Sequence, residues 1–250
     1  MSDKLKNKVA VITGGSSGIG LATAKLFAAE GAKVAITGRN KDNLKKAVDS
    51  IGNQAISITG DVSNLANLAA IFQQVEAQLG KIDVLVANAA IYALAPLADF
   101  TEEMFDKISD INFKGTFFTV QKALPHMNNG ASVILTSSVV AEKGVPQHAA
   151  YAASKAAVRS LARSFSAELL DRSIRVNVLT PGPADTPVFD SVTNTPEEAA
   201  AVKAGMAAFA PVKRIGTPEE MAAASLFLAS ADSAFMAGAE LLLDGGIRSL

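Results

Sequence analysis

Val9–Thr13 is a run of apolar and β-branched residues that stops at glycines, and apolar positions then recur at Ile19, Ala22, Leu26 and Phe27, the spacing of one helix face. The pattern predicts strand, tight turn and helix, with Gly31 ending the helix and a second strand over 33–37. The alternation continues along the chain. A helix over 41–50 precedes a strand over 55–59, a helix over 64–79 precedes one over 82–87, and a long helical stretch from Thr101, broken near Pro125, precedes one over 132–137. A helix over 151–170 then leads to a strand over 175–180, and a helix over 218–229 to a last strand over 240–243. Strands such as IDVLVA and SVILT are almost wholly apolar, which is the mark of parallel strands covered on both faces. The expected fold class is α/β, one Rossmann-type doubly wound parallel sheet of about seven strands occupying residues 1–250. The segment 181–216 departs from the pattern. It is rich in alanine and proline, shows no β period, and reads as an irregular substrate lid, centred on 183–216.

Composition narrows the chemistry. Nearly half of the 250 residues are apolar and the formal charge is −1, so the chain has material for a core and no basic excess to hold nucleic acid or an anionic membrane. There is no cysteine, and His126 and His148 are too far apart to imply a zinc centre, so no metal is expected. The charged start MSDKLKNK lacks the apolar core of a secretory signal, and the uncharged run 84–98 contains Asn88 and Pro96 and is too short to span a bilayer. A cytoplasmic location is the resulting expectation.

Two clusters carry the chemistry. TGGSSGIG at 13–20 places Gly14, Gly18 and Gly20 between a strand and a helix, where backbone approaches a pyrophosphate at a helix N-terminus; Ser16, Ser17 and Ile19 belong to the same turn. The second strand ends in Thr37-Gly38-Arg39-Asn40, with no carboxylate for the ribose hydroxyls of NAD. Arg39 stands there instead, and its guanidinium suits a 2′-phosphate, so NADP(H) is the expected cofactor. The plainer reading of Arg39 is a solvated loop cation. Asp61 with Val62, and Asn88 with Ala89, follow the third and fourth strands at the sheet edge where ligands gather. Asp61 is read as an adenine contact; the alternative is a helix N-cap, for which Ser63 and Asn64 lie closer.

The second cluster is Ser138, Tyr151 and Lys155. Ser138 ends the fifth strand, while Tyr151 and Lys155 are four apart at the start of a helix and share a face. A phenol titrates near 10, and an adjacent ammonium would lower that value, so Tyr151 is expected to exchange a proton with a substrate oxygen held by Ser138. Lys155 is also expected to reach the nicotinamide ribose. Asn112, a poor helix former in the middle of the stretch from Thr101, implies a purpose or a local kink, and is a candidate to hold a water that reprotonates Lys155. Pro181, Gly182 and Thr186 are placed to close over the nicotinamide, although proline and glycine also make plain turns. His148 either borders the substrate or is an exposed loop histidine.

These residues resemble the short-chain dehydrogenase/reductase family along essentially the whole chain. TGGSSGIG is similar to its TGxxxGIG motif, Asp61-Val62 to its adenine-contacting pair, and Asn112, Ser138, Tyr151 and Lys155 to its catalytic tetrad. Pro181-Gly182-Pro183 with Thr186 resembles its nicotinamide-side motif, and LLLDGG at 241–246 its C-terminal signature. The usual NNAG reads Ala87-Asn88-Ala89-Ala90 here, which adds a methyl near the cofactor. Stretches such as VQKALP and ILTSSV look most like bacterial secondary alcohol dehydrogenases and ketoreductases. The resemblance implies NADPH-dependent reduction of a small-molecule carbonyl, reversible as alcohol oxidation. It also implies a homotetramer packed through the helices that begin near Thr101 and at Tyr151. The alternatives are reduction of a 3-oxoacyl group on a carrier protein, which calls for a basic docking surface, with Lys203, Lys213 and Arg214 the cations of the lid region, and a dinucleotide sensor without turnover.

Overall fold

The structure is a computed structural model that describes residues 3–52 and 55–250. Met1 and Ser2 of the charged N-terminal stretch lie outside the described residues. The chain begins with β1 (Val9–Thr13), α1 (Gly18–Ala29), β2 (Lys33–Gly38), α2 (Lys41–Ile51), β3 (Ala55–Thr59), α3 (Leu65–Leu79) and β4 (Ile82–Ala87). It continues through α4 (Glu102–Ile108), a π-helical turn (Ser109–Lys114), α5 (Gly115–Ala123), β5 (Met127–Thr136), α6 (Ala149–Leu169), β6 (Arg175–Pro181), α7 (Pro196–Phe209), α8 (Pro218–Ala229) and β7 (Glu240–Leu243). The strands form one parallel sheet in the order β3-β2-β1-β4-β5-β6-β7.

The two faces of that sheet explain the continuous apolar strands. Alternate residues of a strand point to opposite sides, so Val9 and Val11 of β1 pack with Leu68 and Phe72 of α3 and Val158 of α6, while Ala10 and Ile12 pack with Phe27 of α1 and Met221 of α8. Helices on both sides leave the carboxyl ends of the strands as the open edge. The order reverses between β1 and β4, and loops leaving those two strands diverge, opening a crevice at the switch point.

Two local features differ from the sequence reading and a third follows it. The segment expected to be irregular carries the fourteen-residue helix α7, started by Pro196 at its first position and by the Thr195 hydroxyl, which accepts from the Glu198 N–H. Its alanines favour helix but supply no broad apolar stripe, and for that reason no helical period was legible there. Strand β5 begins at Met127, five residues before the expected start, because its first residue pairs with Ile82 before a register shift. The stretch from Thr101 is interrupted by the π turn centred on Asn112, which is the kink that residue implied.

Candidate active site

The crevice is a cavity of about 1300 Å³ running from Gly14 and Arg39 past Tyr151 to Phe209. Its dinucleotide end is shaped by close backbone contacts. Gly14 and Gly18 have φ of +65° and +52°, in the left-handed region that favours glycine. A Cβ on Gly20 would lie 2.3 Å from the Gly14 carbonyl oxygen, so the first turn of α1 folds against the loop only because that position is bare. No side chain caps α1 at Ser17, whereas Asn40, Asn64, Thr101, Thr195 and Thr217 cap α2, α3, α4, α7 and α8. The first-turn amides of α1 are therefore without a side-chain cap, beside a cavity that Gly18 and Ile19 line, a setting that fits a pyrophosphate. Arg39 is exposed at the same end and makes no ion pair among the described residues.

Asn88 and Thr13 close the base of this cradle. The Thr13 hydroxyl accepts from the N–H groups of Asn88 at 3.0 Å and Ala89 at 3.1 Å, and the Asn88 amide donates to the Thr13 carbonyl at 3.2 Å. Ala90 does not have a positive φ and its side chain is exposed at the cleft, so the methyl in place of the usual glycine costs no backbone strain. Asp61 uses one carboxylate oxygen to accept from the Ser63 N–H at 2.9 Å and hydroxyl at 2.7 Å. Asn64 caps α3, which removes the N-cap alternative for Asp61. Val62 is buried against Gly115 of α5. Asn40 is the N-cap of α2, accepting from the Asn43 N–H at 2.9 Å, so its side chain organises the loop around Arg39. Gly182 packs on Asp244, and Thr186 is buried beside Gly18, bringing the loop after β6 to the cradle.

The other half of the cleft holds Ser138, Tyr151 and Lys155. Ser137, next to Ser138, donates its hydroxyl to the Lys155 carbonyl at 2.9 Å and ties the end of β5 to α6. The Lys155 ammonium is buried and donates to the Thr136 carbonyl at 2.9 Å, with its nitrogen 5.8 Å from the centroid of the Tyr151 ring. Burial lowers the Lys155 pKa to about 8. Burial raises the Tyr151 pKa far above its ordinary value; a hydrogen bond with Ser138 opposes this and the neighbouring Tyr92 adds to it. The expected acidification by Lys155 is therefore not what the protein alone shows. Desolvation of the phenol outweighs an ammonium whose proton is directed at Thr136, and the phenol is held protonated.

Asn112 also has a definite part. Its side-chain carbonyl accepts from the Ile91 N–H at 2.8 Å, and its amide donates to the Ile91 carbonyl at 3.0 Å and the Ser154 hydroxyl at 3.3 Å. The π turn rotates this buried side chain toward the loop after β4 and pins that loop to α6. Tyr92, beside Ile91, was not singled out from sequence. Its ring meets that of Tyr151 edge-on, with centroids 4.8 Å apart, and its hydroxyl is 2.6 Å from Nε2 of His148. The available signal was position, since Tyr92 follows the strand end that carries Asn88. His148 thereby lines the same cleft as Tyr151, half-buried and bonded to Tyr92.

A charged ring steadies the site from outside. Arg159, one turn after Lys155, pairs with Glu142 and with Glu240 at 2.6 Å, while Arg248 pairs with Glu142 at 2.7 Å and Glu240 at 3.1 Å. It joins the segment after Ser138, helix α6, strand β7 and the C-terminal tail. No helix among the described residues is long and apolar enough to cross a membrane.

Comparison with known proteins gives the family. A family model described as Enoyl-(Acyl carrier protein) reductase matches residues 14–248. The chain is 42% identical to "Oxidoreductase asL5" of Sarocladium schorii, over 99% of this chain and 98% of that protein. It is 38% identical to the "NADP-dependent (R)-specific alcohol dehydrogenase" of Lentilactobacillus kefiri, over 98% of each. Among solved structures, a short-chain type dehydrogenase/reductase from Mycobacterium marinum superposes with a TM-score of 0.93 at 34% identity, covering 100% of this chain and 98% of that one. With the glycine cradle, the switch-point cleft and the serine, tyrosine and lysine gathered at its far end, the chain belongs to the short-chain dehydrogenase/reductase family of oxidoreductases.

Proposed function

We propose that this protein is an NADPH-dependent carbonyl reductase, reversible as an alcohol dehydrogenase, acting on small-molecule ketones or aldehydes. The observation that carries the reading is a buried, protonated phenol, hydrogen-bonded to Ser138 and beside Lys155, in the same cleft as a bare helix N-terminus. The cofactor, when bound, supplies the hydride that the carbonyl carbon accepts. Gly14, Gly18 and Gly20 would admit its pyrophosphate, with Ser16, Ser17 and Ile19 in the same loop. Asp61 and Val62 would border the adenine, and Asn88, Ala89, Lys155, Pro181, Gly182 and Thr186 the nicotinamide half. Arg39 would take a 2′-phosphate, with Asn40 organising its loop.

Ser138 holds the substrate oxygen and Tyr151 donates its proton to that oxygen as the alcohol forms. At neutral pH the phenol carries the proton that this direction needs, and because burial makes it a weaker acid, the charge on Lys155 has to be felt as the phenolate forms. Lys155, charged at neutral pH and near its own midpoint at slightly higher pH, steadies the phenolate left behind. Asn112 holds the loop after β4 in place, and a water-mediated proton return to Lys155 completes its part. In the lid region, Lys203 pairs with Asp185 and Arg214 with Glu220, so two of the three cations a carrier protein would use are already neutralised, which favours a free small molecule as substrate. Phe105, Phe113 and Leu170 are exposed on the helical face that a homotetramer would cover.

Tyr151→Phe keeps the ring and removes the proton. A fall in ketone reduction of about a thousandfold, with unchanged NADPH binding, is the expected result; near wild-type reduction would refute the mechanism.

A further inference from the structure

The chain has two tyrosines, and they touch. Tyr151 belongs to the reaction; Tyr92 is held for another purpose. The Nδ1 of His148 lies 2.7 Å from the Pro146 carbonyl, which can only accept, so Nδ1 carries a proton and donates it there. In the neutral ring Nε2 is then an acceptor, and the Tyr92 hydroxyl donates to it at 2.6 Å. With its proton committed to His148, the Tyr92 oxygen offers only lone pairs to the cleft.

The surroundings indicate that this arrangement is built. Gln147, next to His148, has φ +67°, a left-handed conformation that side chains adopt at a cost and that a defined structure must impose. The Gln147 carbonyl accepts from the Ala95 N–H at 3.4 Å, joining the two loops that carry His148 and Tyr92. Asn112 grips Ile91 on the other side. The cleft wall beyond Tyr151 is mostly apolar, with Val139, Val140, Val145, Met206 and Phe209 facing it and the Lys143 ammonium 5.2 Å over the Phe209 ring. An oriented acceptor in an apolar pocket fixes a ligand by the donor it lacks.

Resting on the carbonyl-reductase reading, we propose that Tyr92, oriented by His148, is a specificity residue that accepts a hydrogen bond from a substrate hydroxyl, so that the favoured substrates are ketones bearing a hydroxyl a few bonds from the reacting carbonyl. Tyr92 contacts substrate; His148 is the positioning residue that holds its proton away.

The test uses the full chain, NADPH and three ketones that differ at one carbon, which bears a hydroxyl, a methyl of the same size or a methoxy group. The wild type should prefer the hydroxyketone over both others by about tenfold in kcat/KM, carried mainly by KM. Tyr92→Phe should erase that preference. His148→Ala, which frees the Tyr92 proton to donate, should narrow the gap between hydroxyketone and methoxyketone, and it supplies the same readout if the first variant does not fold. A wild type that reduces all three within twofold of one another, or a Tyr92→Phe variant that keeps the preference, would overturn the inference. Reduction of none of the three by the wild type, or of all three by Tyr151→Phe at wild-type rate, would instead remove the carbonyl-reductase reading beneath it.

Discussion

Asn112 holds Ile91 by both of that residue's backbone groups, accepting from its N–H at 2.8 Å and donating to its carbonyl at 3.0 Å. The contact crosses from the π turn of one helical stretch to the loop leaving β4, and its third hydrogen bond reaches Ser154 on α6. Three segments that meet at the cleft are thus set by one buried amide. Removing it orphans polar backbone in an enclosed place, which costs about 1–3 kcal/mol. Asn112→Ala should lower the melting temperature by roughly 2–12 °C, taking about 2–4 °C per kcal/mol for a chain of this size, and reduce kcat for ketone reduction through displacement of the loop carrying Tyr92. Calorimetry beside steady-state kinetics would check this. Unchanged stability would mean that water replaces the amide.

Lys155 predicts a pH dependence of stability with a definite sign. Its pKa falls from 10.5 in the unfolded chain to about 8 in the folded one. Between those values the unfolded chain holds a proton that the folded protein has released, so stability rises with pH across that window. Below it, the folded protein bears the whole cost of enclosing the ammonium, about 3 kcal/mol. Tyr151 acts oppositely above its ordinary value of 10.0, because the folded phenol retains its proton and the unfolded one loses it. The net rise should therefore lie between pH about 8 and about 10. Urea unfolding of Lys155→Met should show higher stability than wild type at neutral pH and no such rise, in a variant without catalytic activity.

On the proposed mechanism the same residue should govern the rate of reduction. As pH passes about 8, Lys155 loses the charge that steadies the departing proton's phenolate, so kcat/KM for ketone reduction should decline above that point. A profile flat to about pH 10 would show that the charge is not needed.

Arg39 stands without an ionic partner among the described residues, at the dinucleotide end of the cleft. Charge-assisted hydrogen bonds contribute about 1.5–3 kcal/mol, so Arg39→Ala should weaken NADPH binding roughly tenfold to a hundredfold while leaving NADH nearly unaffected. Fluorescence titration with both dinucleotides would measure this, and a wild type that favours NADH would end the assignment.

Gly20 tests the cradle by shape alone. A methyl there would sit 2.3 Å from the Gly14 carbonyl oxygen and 2.8 Å from the Asn88 amide nitrogen. Gly20→Ala should cost about 1–3 kcal/mol of stability and abolish measurable dinucleotide binding, since the loop can make room only by opening.

The sheet and the residues gathered in the cleft are legible because their signals are local. A strand buried on both faces is apolar throughout, as in Ile82–Ala87, and a phosphate loop needs glycines at fixed steps from a strand end, as at Gly14 and Gly20. Tyr151 and Lys155 share a face by helical geometry alone. Helix α7 was hidden because a run of alanines with few large apolar residues has propensity without a period.

What the amino-acid order by itself determined is the alternation of strands and helices, the edge at which ligands gather, and which residue types stand there. Only the tertiary structure decided the proton states and the partners. Enclosure raised the Tyr151 pKa against the expected influence of Lys155, and packing brought Tyr92 and His148, 56 residues apart, into one hydrogen bond. Desolvation and long-range contacts depend on which distant surfaces meet, and that information is absent from any single stretch of chain.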